Sequence, residues 1–266
     1  MTTATTTLVP AAHSRIGWAV RDTLAMTRRN LTGMVRVPTV LVFSLVQPVI
    51  FVFMFRYVFG GAIKIPGRDY VDYLMPGIFV QTVTFGAINT AIGLADDKGS
   101  GLLERLRSLP MSRSAVLGGR VMADTTRNVV TVVLMLLIGF IVDFRTSASV
   151  LGVIGGIALM VLFGFSLCWI FALIGLTVSN GEAAQAAAFP IMAPLVFASN
   201  AFVDPVTMPG WLRWWAERQP VSLTVRGVRA LMLHSDSTSV VWGSVLWSVG
   251  ISAVLAPIAI RRFRAA

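Results

Sequence analysis

The sequence predicts an all-α integral membrane protein. Six transmembrane helices are expected, with an N-terminal amphipathic interfacial helix and a short external re-entrant helical cap before the last span. Three observations carry this. Hydrophobic side chains make up 56% of the 266 residues and charged ones 13%, at a mean hydropathy of +0.78, whereas a water-soluble domain carries about a quarter charged residues. The apolar residues gather into long uncharged runs, and backbone crossing lipid must satisfy itself as a helix or a closed barrel. The 22 Lys and Arg outnumber the 12 Asp and Glu, and they crowd one of the two sides that six spans define. Basic residues accumulate beside anionic lipid on the cytoplasmic face, so the net charge of +10 calls for no nucleic acid. A crossing takes about 20 apolar residues, so one membrane domain, 1–266, fills the chain.

In chain order, Met1 to Thr7 read as a disordered tip, opening a cytoplasmic segment 1–38. Ile16, Val20, Leu24, Thr27, Leu31 and Met34 then recur every three or four residues, one stripe of a helix, with Arg15, Arg21, Asp22, Arg28 and Arg29 on the remaining arc. Such a helix before a span suits the headgroup plane. Trp18 falls on its polar side. No short leader precedes the first apolar run, so the chain is expected to stay anchored by its own first helix.

The membrane domain covers 39–260, with spans at Thr39 to Phe59, Leu74 to Ala95, Ala115 to Val142, Val150 to Val178, Ala184 to Val203 and Val240 to Ile260. The third begins among charges, Arg120, Asp124 and Arg127 at i, i+4 and i+7. That spacing allows both neighbouring pairs to form and suits the organisation of a helix end better than chemistry. With six spans, the N-terminal segment, the approach to the third helix and the basic tail 261–266 carry 14 of the 22 Lys and Arg, placing both termini in the cytoplasm.

Between the second and third spans, near 100–110, lies a short amphipathic element. Leu102, Leu106 and Leu109 form one face, widened by Leu103, and Glu104, Arg105 and Arg107 the other. Ser100 is placed to start it and Pro110 to stop it. Two helical turns are marginal alone, so the leucines either dip into lipid or are gripped by a partner. Before the last span, 204–236 is too polar to cross and too apolar for a free loop. Trp211, Trp214 and Trp215 suit a headgroup belt, and Pro209 and Pro220 stand where two short helices would begin.

Gly99-Ser100-Gly101-Leu102-Leu103-Glu104-Arg105-Leu106-Arg107-Ser108-Leu109-Pro110-Met111-Ser112-Arg113 resembles the permease subunits of type-two ABC exporters, most closely the daunorubicin-resistance branch. So do Phe197 to Val203, Met208 to Leu212, Pro220-Val221 and Val228 to Leu231. Asn200 and Gln219 stand where that family usually has Gly and Asn, and Asp96-Asp97-Lys98 is more acidic than its pattern. The resemblance implies that Leu102, Leu103, Glu104, Arg105, Leu106, Arg107 and Leu109 form a coupling helix entering a cytoplasmic ABC ATPase, which would hold the ATP and Mg. It implies a second permease chain, identical or not, met through the first and fifth spans near Phe51 and Leu195, with Pro48, Pro190 and Pro194 as kinks.

The residues themselves bound the function. Lys64 and Lys98 are the only lysines and neither follows a glycine, so no phosphate-binding loop exists and the chain is not itself an ATPase. Cys168, His13 and His234 are too few and too scattered for a disulfide framework or metal cluster. No Ser/His or His/Asp pair lies at membrane depth to activate a nucleophile. Gln47, Gln81, Asn89 and Asn200 are uncharged polar groups in or beside spans, where each needs an internal partner; they are candidates for a substrate path or for ordinary interhelical hydrogen bonds. The expected function is the membrane path for an amphipathic drug-like molecule or lipid leaving the cell across the plasma membrane. A glycan or polyketide-lipid is the alternative cargo, and a secondary transporter needing no ATPase the rival class.

Overall fold

The computed structural model describes residues 15–36, 38–60, 69–108, 112–234 and 237–265. The tip Met1 to Thr7, Leu109 and Pro110 lie outside the described residues, as does the side chain of Arg107. The described residues are helical, with turns between: α1 Arg15–Arg36, α2 Pro38–Phe53 continued by a π-helical segment Met54–Phe59, α3 Tyr70–Gly99, α4 Leu102–Arg107, α5 Arg113–Ile141, α6 Val150–Thr177, α7 Gly181–Phe197, a 3₁₀ turn Pro205–Thr207, α8 Gly210–Arg218, α9 Pro220–Leu233 and α10 Ser239–Ala265.

Four helices are long and apolar enough to cross a membrane: α3, α5, α6 and α10. α2 is a shorter apolar helix. α7 begins beside the expected fifth span but ends at Phe197 instead of Val203. Beyond it Ser199 donates to the Val196 carbonyl and accepts from the Ala201 amide, turning the backbone away from helix. α10 runs past Ile260 through Arg261, Arg262 and Arg264, so the basic tail is its last turn rather than a separate segment.

α3 is the axis of the bundle, touching α2, α5, α6, α7 and α9. Lipid tails are as apolar as leucine, so membrane helices are held by close packing and internal polar contacts. The α3–α6 crossing shows the packing: a Cβ at Gly175 would stand 2.5 Å from the Ala91 carbonyl oxygen and 3.0 Å from Leu94 Cβ. Valine there would force the two helices apart. α10 packs on α6 and α9 and leaves Trp242, Leu246, Trp247 and Val254 exposed, the surface a lipid-facing helix presents.

α1 lies along α5, but not by the expected stripe. Met26 is buried over Gly119, where a Cβ would overlap its side chain, and Thr23 sits over Gly118. Thr23 and Thr27 return their hydroxyls to the Ala19 and Thr23 carbonyls, and the Thr23 methyl faces Gly118. Asp22 accepts from the Ser112 amide at 2.9 Å. Val20 and Leu24 are left outside. The stripe is therefore divided: α5 takes the Thr23, Met26 and Thr27 side, and Val20 and Leu24 remain free for lipid.

α8 and α9 start at Pro209 and Pro220 as the prolines suggest. They differ in surroundings. α8 exposes Trp211, Trp214 and Trp215, and Arg213 donates to Glu217 at 2.7 Å, holding that carboxyl below its ordinary range. α9 is buried along most of its length against α3, α6 and α10.

Candidate functional site

A cavity of about 110 Å³ opens between α2, α3 and α5. Ser44, Gln47 and Pro48 line it from α2; Gln81, Thr82, Phe85, Gly86 and Asn89 from α3; Arg127, Asn128 and Thr131 from α5. Three of the four path candidates, Gln47, Gln81 and Asn89, thus meet at one place. The fourth does not: Asn200 is buried toward the Tyr70 end of α3, in a separate cavity of about 320 Å³ with Tyr73, Asp204, Glu217, Arg226 and Arg229.

Helical spacing brings the lining together. Gln81, Phe85 and Asn89 follow one another at i, i+4 and i+8 on α3. On α5, Asn128 and Thr131 continue the face of Arg120, Asp124 and Arg127. Asn128 and Thr131 escape the sequence reasoning, because the charges that mark this stripe stop at Arg127. Carrying it one turn further finds both.

Below the cavity, toward Gly99, the three charges form the expected pairs, with Asp124 and Arg127 buried and Arg120 partly exposed. Asp124 is fully buried and Arg127 is 8% exposed. One carboxylate oxygen of Asp124 lies 3.1 Å from Arg120 Nε and accepts from the Thr90 hydroxyl at 2.8 Å; the other lies 3.3 Å from Arg127 Nη1. Arg127 also donates to the Gly86 carbonyl at 2.6 Å and Arg120 to the Asn89 carbonyl at 3.1 Å. Gly93 makes room for this, since a Cβ there would overlap the Arg120 guanidinium.

The acidic cluster that departs from the expected pattern ties three elements together here. Asp96 accepts from the Gly181 amide at the start of α7 (2.9 Å), a favourable place for a negative charge. Asp97 lies 4.0 Å from Arg120 of α5. Lys98 donates to the Leu176 and Val178 carbonyls, at 3.1 and 3.3 Å, where α6 ends.

Immediately beyond, Gly101 takes φ +69°, a left-handed turn that glycine makes without strain, and α4 follows. Ser100 does not start α4; its hydroxyl donates to the Asp97 carbonyl and closes α3 instead. Leu103 and Leu106 are buried in the protein's own core and Leu102 packs beside them. The apolar face of α4 is therefore spent within the chain. Among its described side chains, Glu104 and Arg105 are exposed.

Among the described residues no cluster of His, Cys, Asp and Glu could hold a metal ion.

Residues 21–233 match the family described as ABC-2 type transporter. The chain belongs to that family. Among the relatives of this ABC-2 transporter chain is the daunorubicin resistance ABC transporter permease protein DrrB1 of Streptomyces coeruleorubidus, 35% identical over 249 residues, covering 92% of this chain and 87% of the relative. The probable doxorubicin resistance ABC transporter permease protein DrrC of Mycobacterium tuberculosis is 27% identical over 261 residues, covering 97% and 94%. A putative transport permease, ycf38, of Cyanophora paradoxa is 24% identical over 221 residues, covering 82% and 76%. The match spans α1 to α9 without a break, so the cavity, the buried ion pairs and α4 all lie on family sequence. The ABC-2 chain is a multi-pass membrane protein of the transporter-permease kind.

Proposed function

We propose that this chain is the membrane path of an ATP-driven exporter that moves an amphipathic drug-like molecule or lipid out of the cytoplasm or inner leaflet of the plasma membrane. The observation that carries it is the 35% identity, across nearly the whole chain, to a drug-resistance permease. In this reading the six spans are α2 with its π segment, α3, α5, α6, α7 and α10. Both termini and α4 are cytoplasmic, α1 lies in the inner headgroup layer, and α8 with α9 caps the outside. Residues 1–266 then form one transmembrane domain. ATP and Mg belong to a separate ATPase, which docks on the charged edge of α4, and a second permease chain completes the path.

The geometry supports this division of labour. α4 presents charge outward on a short helix whose leucines are locked to the body, and the body at that point is stitched to α5, α6 and α7 through Asp96, Asp97 and Lys98. A push on α4 would reach three helices. Phe51, on the expected dimer surface, packs instead with Phe55, Phe197 and Phe202 of its own chain. Ile50 and Ile191, exposed on α2 and α7, are the better positions for crosslinks between permeases.

Glu104→Arg tests the reading in a host where the chain is co-expressed with the ABC ATPase that supports its efflux. The variant should insert and melt like the parent, lose co-purification with the ATPase and lose ATP-dependent efflux. Full efflux and normal co-purification would remove α4 as the docking site. ATP-independent efflux by the parent chain would favour a secondary transporter.

A further inference from the structure

The cavity of about 320 Å³ at the Tyr70 end of α3 has charges of both signs on its wall, sorted by element. Asp204 opens the 3₁₀ turn and Glu217 belongs to α8, which packs on that turn. Arg226 and Arg229 both belong to α9, three residues apart and so on one helical face. Arg213, which is not part of the lining, marks the acidic side independently. It donates to Glu217 at 2.7 Å, and that bond, with the Asp204 carboxylate beyond it, holds the guanidinium above its ordinary range. The basic side is within electrostatic reach of the acidic one, since Arg226, after Arg213 and Arg218, helps to hold the Glu217 carboxyl down.

These groups can be reached. The Glu217 side chain is 38% exposed, Asp204 and Arg226 are half-buried, and Val206 on the same lining is 66% exposed, so the cavity opens to the surface. Arg229 donates to three backbone carbonyls; it supplies field to the basic wall, and Arg226 supplies the contact. The chemistry of the two walls selects the occupant. A lone cation would gain from Asp204 and Glu217 and be repelled by both arginines, and a lone anion would meet the reverse. A head that holds an ammonium and an acidic oxygen a few bonds apart gains at both walls. Size limits the occupant as well, since 320 Å³ is at the small end of ligand cavities, which run from about 300 to 1,000 Å³. It suits a head group better than a whole drug-sized molecule. Trp211, Trp214 and Trp215, exposed on α8, are the side chains that favour the headgroup layer.

We propose that this cavity binds the zwitterionic head of a phospholipid of the outer leaflet, its ammonium against Asp204 and Glu217 and its phosphate against Arg226. The leaflet rests on the exporter reading, which puts α8 and α9 outside. The head-group choice rests on the charged walls alone.

The test uses the full-length chain carrying Val206→Cys in uncharged maltoside micelles; Cys168 is fully buried, so the new thiol is the one that labels. Maleimide labelling is timed with dihexanoyl-phosphatidylethanolamine, dihexanoyl-phosphatidylglycerol or dihexyldimethylammonium. The zwitterion should halve the labelling rate at about one-fifth of the concentration that either singly charged amphiphile needs, the worth of one exposed ion pair. Glu217→Gln should move the preference toward phosphatidylglycerol, and Arg226→Gln should move it toward the ammonium. Shifts of opposite sign cannot come from a shared loss of fold. Equal protection by the three probes, stronger protection by either ion, or variants that shift the same way would each overturn the proposal. So would variants that lose all protection together with melting temperature, which assigns both residues to the scaffold. Glycerophosphoethanolamine, the same head without chains, should protect about tenfold more weakly, and equal protection would replace the lipid by a free zwitterion and overturn the proposed occupant. An impermeant maleimide added to intact cells checks the leaflet separately. A thiol that labels only in opened cells would sink the outside placement, and with it the exporter reading's topology, while the head-group preference in micelles stood.

Discussion

Toward its Gly99 end, α3 packs against two arginines of α5 whose charges are met by carboxylates, Arg120 by Asp124 and Asp97, and Arg127 by Asp124. At its Tyr70 end it meets Arg229 of α9, 4% exposed, which donates to three backbone carbonyls. Arg229 reaches the Tyr73 carbonyl at 2.8 and 3.1 Å, that of Asn200 at 3.0 Å and that of Ala201 at 3.3 Å, and its guanidinium lies 3.5 Å from the centre of the Tyr73 ring. The first arrangement joins regular helices through side chains. The second fixes irregular backbone, the turn after α7, which Gln219 also holds by donating to the Leu195 and Ala198 carbonyls at 2.8 and 3.1 Å. A buried cation therefore serves two purposes in one bundle: shared carboxylates bind helix to helix, and carbonyls fasten a loop whose own helix has ended.

The comparison is sharpest at Asp124. Asp124→Asn leaves buried Arg127 and partly exposed Arg120 facing a neutral amide, and breaking a buried pair by removing one partner costs about 3–5 kcal/mol. Thermal unfolding of the purified chain in detergent should show that loss, with part of it recovered when Arg127→Leu is added. A loss near zero would mean that the carboxylate does not hold the helices together.

Arg229→Lys keeps the charge and removes the planar fork, so it isolates geometry. An ammonium cannot serve the same three carbonyls and stack on Tyr73, and a loss of about 2 kcal/mol is expected. A cysteine at Ala201 should label faster in that variant, while one at Ala123, beside the ionic end, should not. Equal acceleration at both would break the distinction between the two ends.

Asp96→Asn gives the smallest effect. The amide can still accept from Gly181, but the negative charge at the start of α7 is gone, worth about 0.3–1 kcal/mol. Hydrogen exchange should quicken over Gly181 to Ala184 with little change in overall melting. A global loss as large as that of Asp124→Asn would make Asp96 part of the ionic core rather than a local tie.

Much of this was legible in one dimension. The helices α1, α3, α5, α6, α8, α9 and α10 follow from uncharged runs, amphipathic spacing and proline starts, and the Arg120, Asp124 and Arg127 pairs follow from their i, i+4, i+7 spacing. Gln47, Gln81 and Asn89 could be singled out because uncharged polar side chains in apolar runs are conspicuous. Their meeting could not be read, since it depends on which faces of α2, α3 and α5 turn toward each other. Asn200 carries the same kind of side chain and lies in another cavity.

The sequence by itself determined what is set by local chemistry: a helical membrane chain, its basic asymmetry, the starts of its helices and the family to which its motifs belong. The tertiary structure decided which face of each helix is inside. It turned Val20 and Leu24 outward because Gly118 and Gly119 admit the Thr23 and Met26 face of α1. It buried Leu103 and Leu106 and, among the described side chains of α4, left Glu104 and Arg105 exposed. It also ended α7 at Phe197, where Arg229 and Gln219, distant in sequence, satisfy the carbonyls released there. Periodicity marks the faces of a helix, but only the neighbours that pack against it choose among them, because in lipid apolar burial no longer separates inside from outside.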